Sequence, residues 1–254
     1  MKIGIGSYAY GWNIQRGMTA EQLLDHAIEV GADVVQVCDN LPLFELDWTT
    51  LSSKATDHGI ILQVGNIGTP GDLIRTAEIA GKIKSPIIRF VIGPAFATQS
   101  AHEVADDFRD AARICSENGA RLAIENQEYF RAPQFAEIVS LIGHGAAITL
   151  DTANSLANLE GTECLIKYLA DLSICLHAKD VAVEREFHMF GFRVFGVPAG
   201  QGAVDFHLLK QSLPKLESVI LEQWVPTVNN QPPTTNEVEM VAPGLNYLRS
   251  IWKD

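Results

Sequence analysis

The sequence predicts an α/β fold, a single (β/α)8 barrel spanning residues 1–254. Three observations predict it. Short runs rich in Val and Ile alternate with helical stretches along the whole chain. The runs are apolar at consecutive positions, as strands covered on both faces must be. Eight such runs occur, and no linker or low-complexity tract divides them.

The first strand is expected over Lys2 to Ser7. The next three fall at Asp33 to Cys38, Ile60 to Asn66 and Pro86 to Ile92. The second half supplies Arg121 to Glu125, Ala147 to Asp151, Leu172 to His177 and Ser218 to Glu222. A doubly wound sheet would normally place a glycine-rich phosphate loop after strand one; Tyr8-Ala9-Tyr10-Gly11-Trp12 is no such fingerprint.

Helices fill the gaps. Thr19-Ala20-Glu21-Gln22 has the form of a capping box, Leu23, Leu24 and Ala27 share one face, and Gly31 closes that helix. Val104, Phe108, Ala111, Ala112 and Cys115 recur at helical spacing between Ala101 and Asn118. Phe135, Ile138, Val139 and Ile142 repeat the pattern, and a last helix is expected from Glu237 to Trp252. Two long loops remain, Val181 to Val204 and Val225 to Asn236. Both follow late strands and so belong at the catalytic mouth of a barrel. Gly196 to Gly202 is glycine-rich but lacks a P-loop lysine, and reads as a turn.

Composition narrows the function. A net charge of -12 with no basic cluster argues against nucleic acid as partner. No apolar run is long enough to span a membrane. The glycine-rich start reads as a strand rather than a signal peptide. Cys38, Cys115, Cys164 and Cys175 show no C-x-x-C spacing and are expected to be reduced thiols of a cytoplasmic protein.

Four consecutive strands end in a metal-ligand type: Glu125, Asp151, His177 and Glu222. Strand tips of a barrel converge on one mouth, so three carboxylates and an imidazole would meet there. Carboxylates that close repel one another, and a divalent cation removes the penalty. Three oxygen-type ligands and one nitrogen suit Mn2+, Mg2+ or Co2+, with Zn2+ also accommodated. One Glu or Asp at a strand end is more often a cap or a solvated loop residue; four in register, each after an apolar strand, are not.

The segments Ile124-Glu125-Asn126, Leu150-Asp151-Thr152-Ala153-Asn154, Leu176-His177-Ala178-Lys179-Asp180 and Leu221-Glu222 resemble the xylose-isomerase-like sugar isomerases and epimerases. That group includes ketose 3-epimerases, hydroxypyruvate isomerase and inosose dehydratase. The resemblance implies one divalent metal on the four ligands, with Glu125 and Glu222 exchanging protons with a small carbohydrate substrate from opposite faces. Asp151 and His177 are then ligands alone. It also leaves room for a homo-oligomer. The chemistry is coherent: a metal that chelates a carbonyl and a neighbouring hydroxyl acidifies the adjacent C–H by stabilising an enediolate, so a carboxylate suffices as base.

The chain departs from the ketose 3-epimerase pattern. Asn154 replaces a His three residues after Asp151, Val183 replaces an Arg six after His177 with Arg185 two further on, and Glu128 is closer to Glu125 than the usual substrate-binding Glu. These departures argue against 3-epimerisation of a free ketose. Candidate substrate contacts are Lys179, which follows His177 by two and shares its side of the extended chain, together with Asn154, Glu128, His188, Arg193 and Trp224. Tyr8 and Trp12 are further aromatic residues expected at the mouth.

The leading expectation is an isomerase or epimerase of a small sugar, keto-sugar or sugar acid. A lyase that decarboxylates or dehydrates a keto-sugar acid uses the same metal site, and Lys179 with Arg193 would suit its carboxylate. A non-catalytic sugar-binding barrel is the third reading. An abasic-site endonuclease would need more histidines than Asp39, Asn66 and Gly93 provide at strand ends two to four.

Overall fold

Each apolar run forms a strand, and the eight close on themselves. The computed structural model describes residues 1–227 and 232–253. The barrel consists of β1 (Lys2–Gly6), β2 (Val34–Val37), β3 (Ile61–Gly68), β4 (Ile87–Ile92), β5 (Arg121–Glu125), β6 (Ala147–Asp151), β7 (Ser173–Ala178) and β10 (Ser218–Leu221). All neighbours are parallel, and Lys2 of β1 lies opposite Ser218 of β10 at the closure. The helices pack outside, and the apolar faces of α2 (Ala20–Glu29), α5 (Ala101–Glu117) and α6 (Ala132–Ile142) bury the residues their spacing singled out. The Thr19 capping box forms, and Gly31 beyond it takes a left-handed φ of 66° that disfavours a Cβ.

The interior is layered by the two-residue step of a strand. Val34, Ile87, Ala123, Ala147, Cys175 and Ile220 form one apolar cluster. Two residues further along the same strands come Gln36, Arg89, Glu125, Thr149, His177 and Glu222, all buried. The barrel is therefore oily at one level and ionic at the next, towards the C-terminal strand ends.

Two expected loops are revised. Val181 to Val204 is largely a hairpin of β8 (Asp180–Arg185) and β9 (Phe192–Val197), paired antiparallel with Val183 opposite Val194. Its base is tied by Asp180, whose carboxylate accepts from the backbone N–H groups of Val181, Gly200, Gly202 and Val204 at 2.8–3.2 Å. A Cβ on Gly202 would lie 2.2 Å from Asp180 Oδ1, so the glycine there makes room for the clamp. The glycine-rich stretch is thus a turn built around a carboxylate. The last helix, α9 (Thr234–Trp252), starts three residues earlier than expected, directly after Pro233, which cannot continue a helix backwards. The loop expected over Val225 to Asn236 is shortened accordingly, and its residues 228–231 lie outside the described residues. Cys38, Cys115 and Cys175 are buried and Cys164 half-buried, all as free thiols. Among the described residues no helix is long and apolar enough to cross a membrane.

Glu237, in the last helix, ties that helix to the segment that follows β1. It is 1 % exposed, and its carboxylate accepts from Trp12 N, Asn13 N and Asn13 Nδ2 at 2.7–2.9 Å, at the start of α1 (Gly11–Gln15). We expect Glu237→Ala to lower unfolding stability by about 2–4 kcal/mol in urea titration, because it strands buried donors. A loss below about 1 kcal/mol would mean that water replaces the carboxylate.

Candidate metal centre

The four expected ligands converge. His177 Nδ1 lies 3.3 Å from Glu222 Oε1, 3.4 Å from Glu125 Oε2 and 3.8 Å from Asp151 Oδ2, and all four side chains are essentially inaccessible to solvent. Glu125, Asp151 and His177 each offer a ligand atom within 4.8 Å of the others. Gly6 of β1 makes space for the fourth: a Cβ there would lie 2.9 Å from Glu222 Oε1.

The imidazole is oriented from behind. His177 Nε2 lies 2.7 Å from Gln36 Oε1, and Gln36 in turn donates to Gln63 at 3.0 Å. Gln36 Nε2 is thereby committed as donor, so its oxygen must accept from His177 Nε2–H. That tautomer turns the Nδ1 lone pair towards the carboxylates. Asp151 is fixed likewise: Oδ1 accepts from Ala153 N and Asn154 N at 2.8 Å each, which leaves Oδ2 facing the cluster.

Two cations are built in. Lys179 Nζ lies 2.7 Å from Asp151 Oδ2, 3.0 Å from Glu222 Oε2 and 3.3 Å from Asn154 Oδ1. Arg89, on β4, pairs with Asp39 at 2.9 Å and with Glu125 through Nε. Glu125 is saturated with donors, because its Oε1 also accepts from Asn154 Nδ2 at 2.7 Å and Gln127 Nε2 at 3.1 Å. Burial pushes the Glu125 carboxyl pKa up, but Arg89 and then His177 reverse this and hold it well below the usual range. Glu222 is held at about 2, where burial is outweighed by His177 and Lys179. Asp151 is raised, with burial dominant and only partly offset by Lys179. Burial depresses His177 and Lys179, yet the surrounding carboxylates win and raise both.

These residues fit a divalent cation. His177 Nδ1 and Glu222 Oε1 are buried without a hydrogen-bond partner, and Asp151 Oδ2 and Glu222 Oε2 have only the Lys179 ammonium beside them. Glu125, Asp151, Glu222 and Asp39 carry four negative charges against the two of Arg89 and Lys179. A divalent ion ligated by Nδ1 would displace the proton that these carboxylates favour on His177, and its charge would match this deficit of two.

The cluster floors a pocket of about 660 Å³, rimmed by Tyr8, Glu128, Ala157, Val194 and Trp224. Asn154 and Lys179 face it from the buried side, while Glu128 is exposed at the edge. Trp224 covers Lys179, its ring 5.3 Å from Nζ. Tyr8 donates to Asp39 at 2.7 Å, and Trp12 lines a smaller neighbouring cavity. His188 and Arg193 are not brought to the pocket. His188 is at the exposed hairpin tip, and Arg193 pairs with Glu184 at 3.0 Å on the hairpin face opposite Val194. The strand alternation that aims Val194 at the pocket aims Arg193 away from it. Arg89, Gln36, Gln63 and Gln127 went unnoticed in the sequence. A polar residue inside each of the apolar runs Val34 to Val37, Ile61 to Val64 and Ile87 to Ile92 was the available signal for the first three.

The chain is 28 % identical over 261 residues to a 3-oxo-isoapionate decarboxylase of Pectobacterium atrosepticum, covering 98 % of this chain and 95 % of that protein. The probable 3-DHS dehydratase AsbF of Bacillus anthracis superposes with a TM-score of 0.75 at 14 % identity, over 98 % of both chains. The IOLI protein with a bound zinc atom matches equally well, at 0.75 and 14 % over 100 % of both. At such identities the two structures speak for the fold alone. The family model of the xylose isomerase-like TIM barrel matches residues 24–251, and the chain belongs to that family.

Proposed function

We propose that this chain is a divalent-metal-dependent lyase that decarboxylates a 3-oxo sugar acid. The observation that carries the reading is the state of Glu125. Proton exchange from two faces needs two carboxylates free to act as bases, and Glu125 has donors on both oxygens, Arg89 among them. Loss of CO2 from a 3-oxo acid needs no base: it needs positive charge where the electron pair arrives. The decarboxylase relative supports this choice of substrate.

Glu125, Asp151, His177 and Glu222 would hold the metal, and the bound ion would supply an electron sink for the 3-oxo group. Zinc in the IOLI protein makes Zn2+ a candidate beside Mn2+, Mg2+ and Co2+. The bond between the carboxylate and its neighbouring carbon breaks, CO2 leaves, and the electron pair moves towards the 3-oxo oxygen as an enolate; water entering the pocket then protonates that carbon and leaves hydroxide to the solvent. Lys179 stays charged between Asp151 and Glu222 and lowers the energy of that oxygen's developing charge. Trp224 and the apolar rim exclude water around it, which strengthens the interaction. Asn154 links the two halves of the site, donating to Glu125 while lying against Lys179.

Two measurements bear on this. Equilibrium dialysis with elemental analysis is expected to find one divalent ion per chain, and Asp151→Asn or His177→Ala to weaken its binding roughly 100-fold or more. Incubation with a 3-oxo aldonic acid and metal is expected to release CO2, and chelation to stop it. Lys179→Met should then keep the metal but lose about 10³-fold in kcat/KM, the scale of one preorganised charge. Solvent deuterium entering the substrate without CO2 release would instead assign an isomerase or epimerase. Neither reaction, with sugar bound, would assign a binding barrel.

A further inference from the structure

The β8–β9 hairpin is amphipathic, and its apolar side stays largely exposed among the described residues. Cross-strand partners share a face, so Val183, Val194 and Phe192 lie together with the Arg185 stem, whose guanidinium carbon is 4.4 Å from the Phe192 ring centre. Val183, Val194 and Phe192 are 52 %, 47 % and 62 % exposed, and the tip adds Phe187 at 93 %, Met189 at 61 % and Phe190 at 92 %. The opposite face carries the Glu184–Arg193 ion pair. Counting about 200 Å² for a fully exposed aromatic side chain, these six residues present roughly 700 Å². That exceeds the few hundred Å² usual for a monomer's largest apolar patch and approaches the ~800 Å² per partner of a standard interface.

We propose that this face docks a second copy of the chain, hairpin to hairpin across a two-fold axis, and that the partner's hairpin roofs the pocket. The charges favour a copy of itself. The chain carries a net charge of -12, yet residues 183–194 hold Glu184 and Glu186 against Arg185 and Arg193, so two copies meet there without net repulsion. Position favours the roof: Val194 lines the pocket, next to the exposed ring of Trp224, so whatever covers the apolar face also covers the mouth.

The test is solution mass, which needs no substrate and stands or falls separately from the proposed reaction. Sedimentation of the full chain is expected to give twice 27.8 kDa. Phe187→Ser combined with Phe190→Ser should raise the dimer dissociation constant about 100-fold or more with an unchanged circular dichroism spectrum and melting temperature, because both rings are exposed in the single chain. A wild-type monomer at tens of micromolar, or a dimer indifferent to the double substitution, overturns the proposal. So does a monomer that floats with phosphatidylcholine vesicles through the same two rings.

Discussion

The structure depends on one electrostatic constraint: three carboxylates, an imidazole, an ammonium and a guanidinium, all nearly inaccessible to solvent, share the floor of one pocket at the barrel mouth. Removing any one of these charges leaves another uncompensated in a poorly polarisable interior, which is far costlier than losing a surface pair. The groups are held apart in a way that leaves a deficit. Asp151 Oδ2, His177 Nδ1 and the Glu222 oxygens point at one another with only the Lys179 ammonium beside them, although each of the first two residues is fixed through its other polar atom. A fold that satisfied this cluster internally would need no ion. This one arranges its supporting hydrogen bonds so that the cluster fits a divalent ion.

The backbone permits such a cluster because strand and barrel geometry separate two tasks. On β4, β5, β7 and β10 the inward residue nearer the N-terminal end is apolar, Ile87, Ala123, Cys175 or Ile220, and the inward residue two positions on is charged or imidazole. The lower level contributes hydrophobic stabilisation; the upper level costs desolvation energy and provides the chemistry. Gly4 and Gly6 on β1 show how tight the division is. A Cβ at Gly4 would lie 2.0 Å from the Val34 carbonyl oxygen, and one at Gly6 would press on Glu222.

This geometry also explains which features could be seen in the sequence. The barrel was legible because eight consecutive-apolar runs have few other folds, and the convergence of Glu125, Asp151, His177 and Glu222 because each terminates such a run. Arg89 was not, since its run continues through Phe90, Val91 and Ile92, and only the closed barrel tells which face of β4 is inward. Gln36 and Gln63 escaped for the same reason. His188 and Arg193 were chosen for their chemistry in a segment taken to be loop. The hairpin was hidden because aromatic and charged residues are mixed through it, and its alternation emerges only once Val183 is set opposite Val194. Lys179, two residues after His177, was legible in direction but not in consequence: nothing local in the chain places it between Asp151 and Glu222.

Arg89 and Lys179 divide the carboxylates between them, and the division bears on the reaction. Arg89 is committed to Glu125 and Asp39, so Glu125 is bound tightly in its charged form and cannot readily take a proton from carbon. Lys179 is shared by Asp151 and Glu222 at 2.7 and 3.0 Å, which keeps it charged at the edge of the pocket, where a substrate oxygen would meet its field. In the proposed decarboxylation, one immobilised carboxylate and one charged lysine would stabilise an electron pair leaving a carboxylated carbon better than they would abstract a proton. The family scaffold brings Glu125, Asp151, His177 and Glu222 together; in the proposed reaction the residues between them, Arg89 and Lys179 above all, would decide what an ion held there is used for.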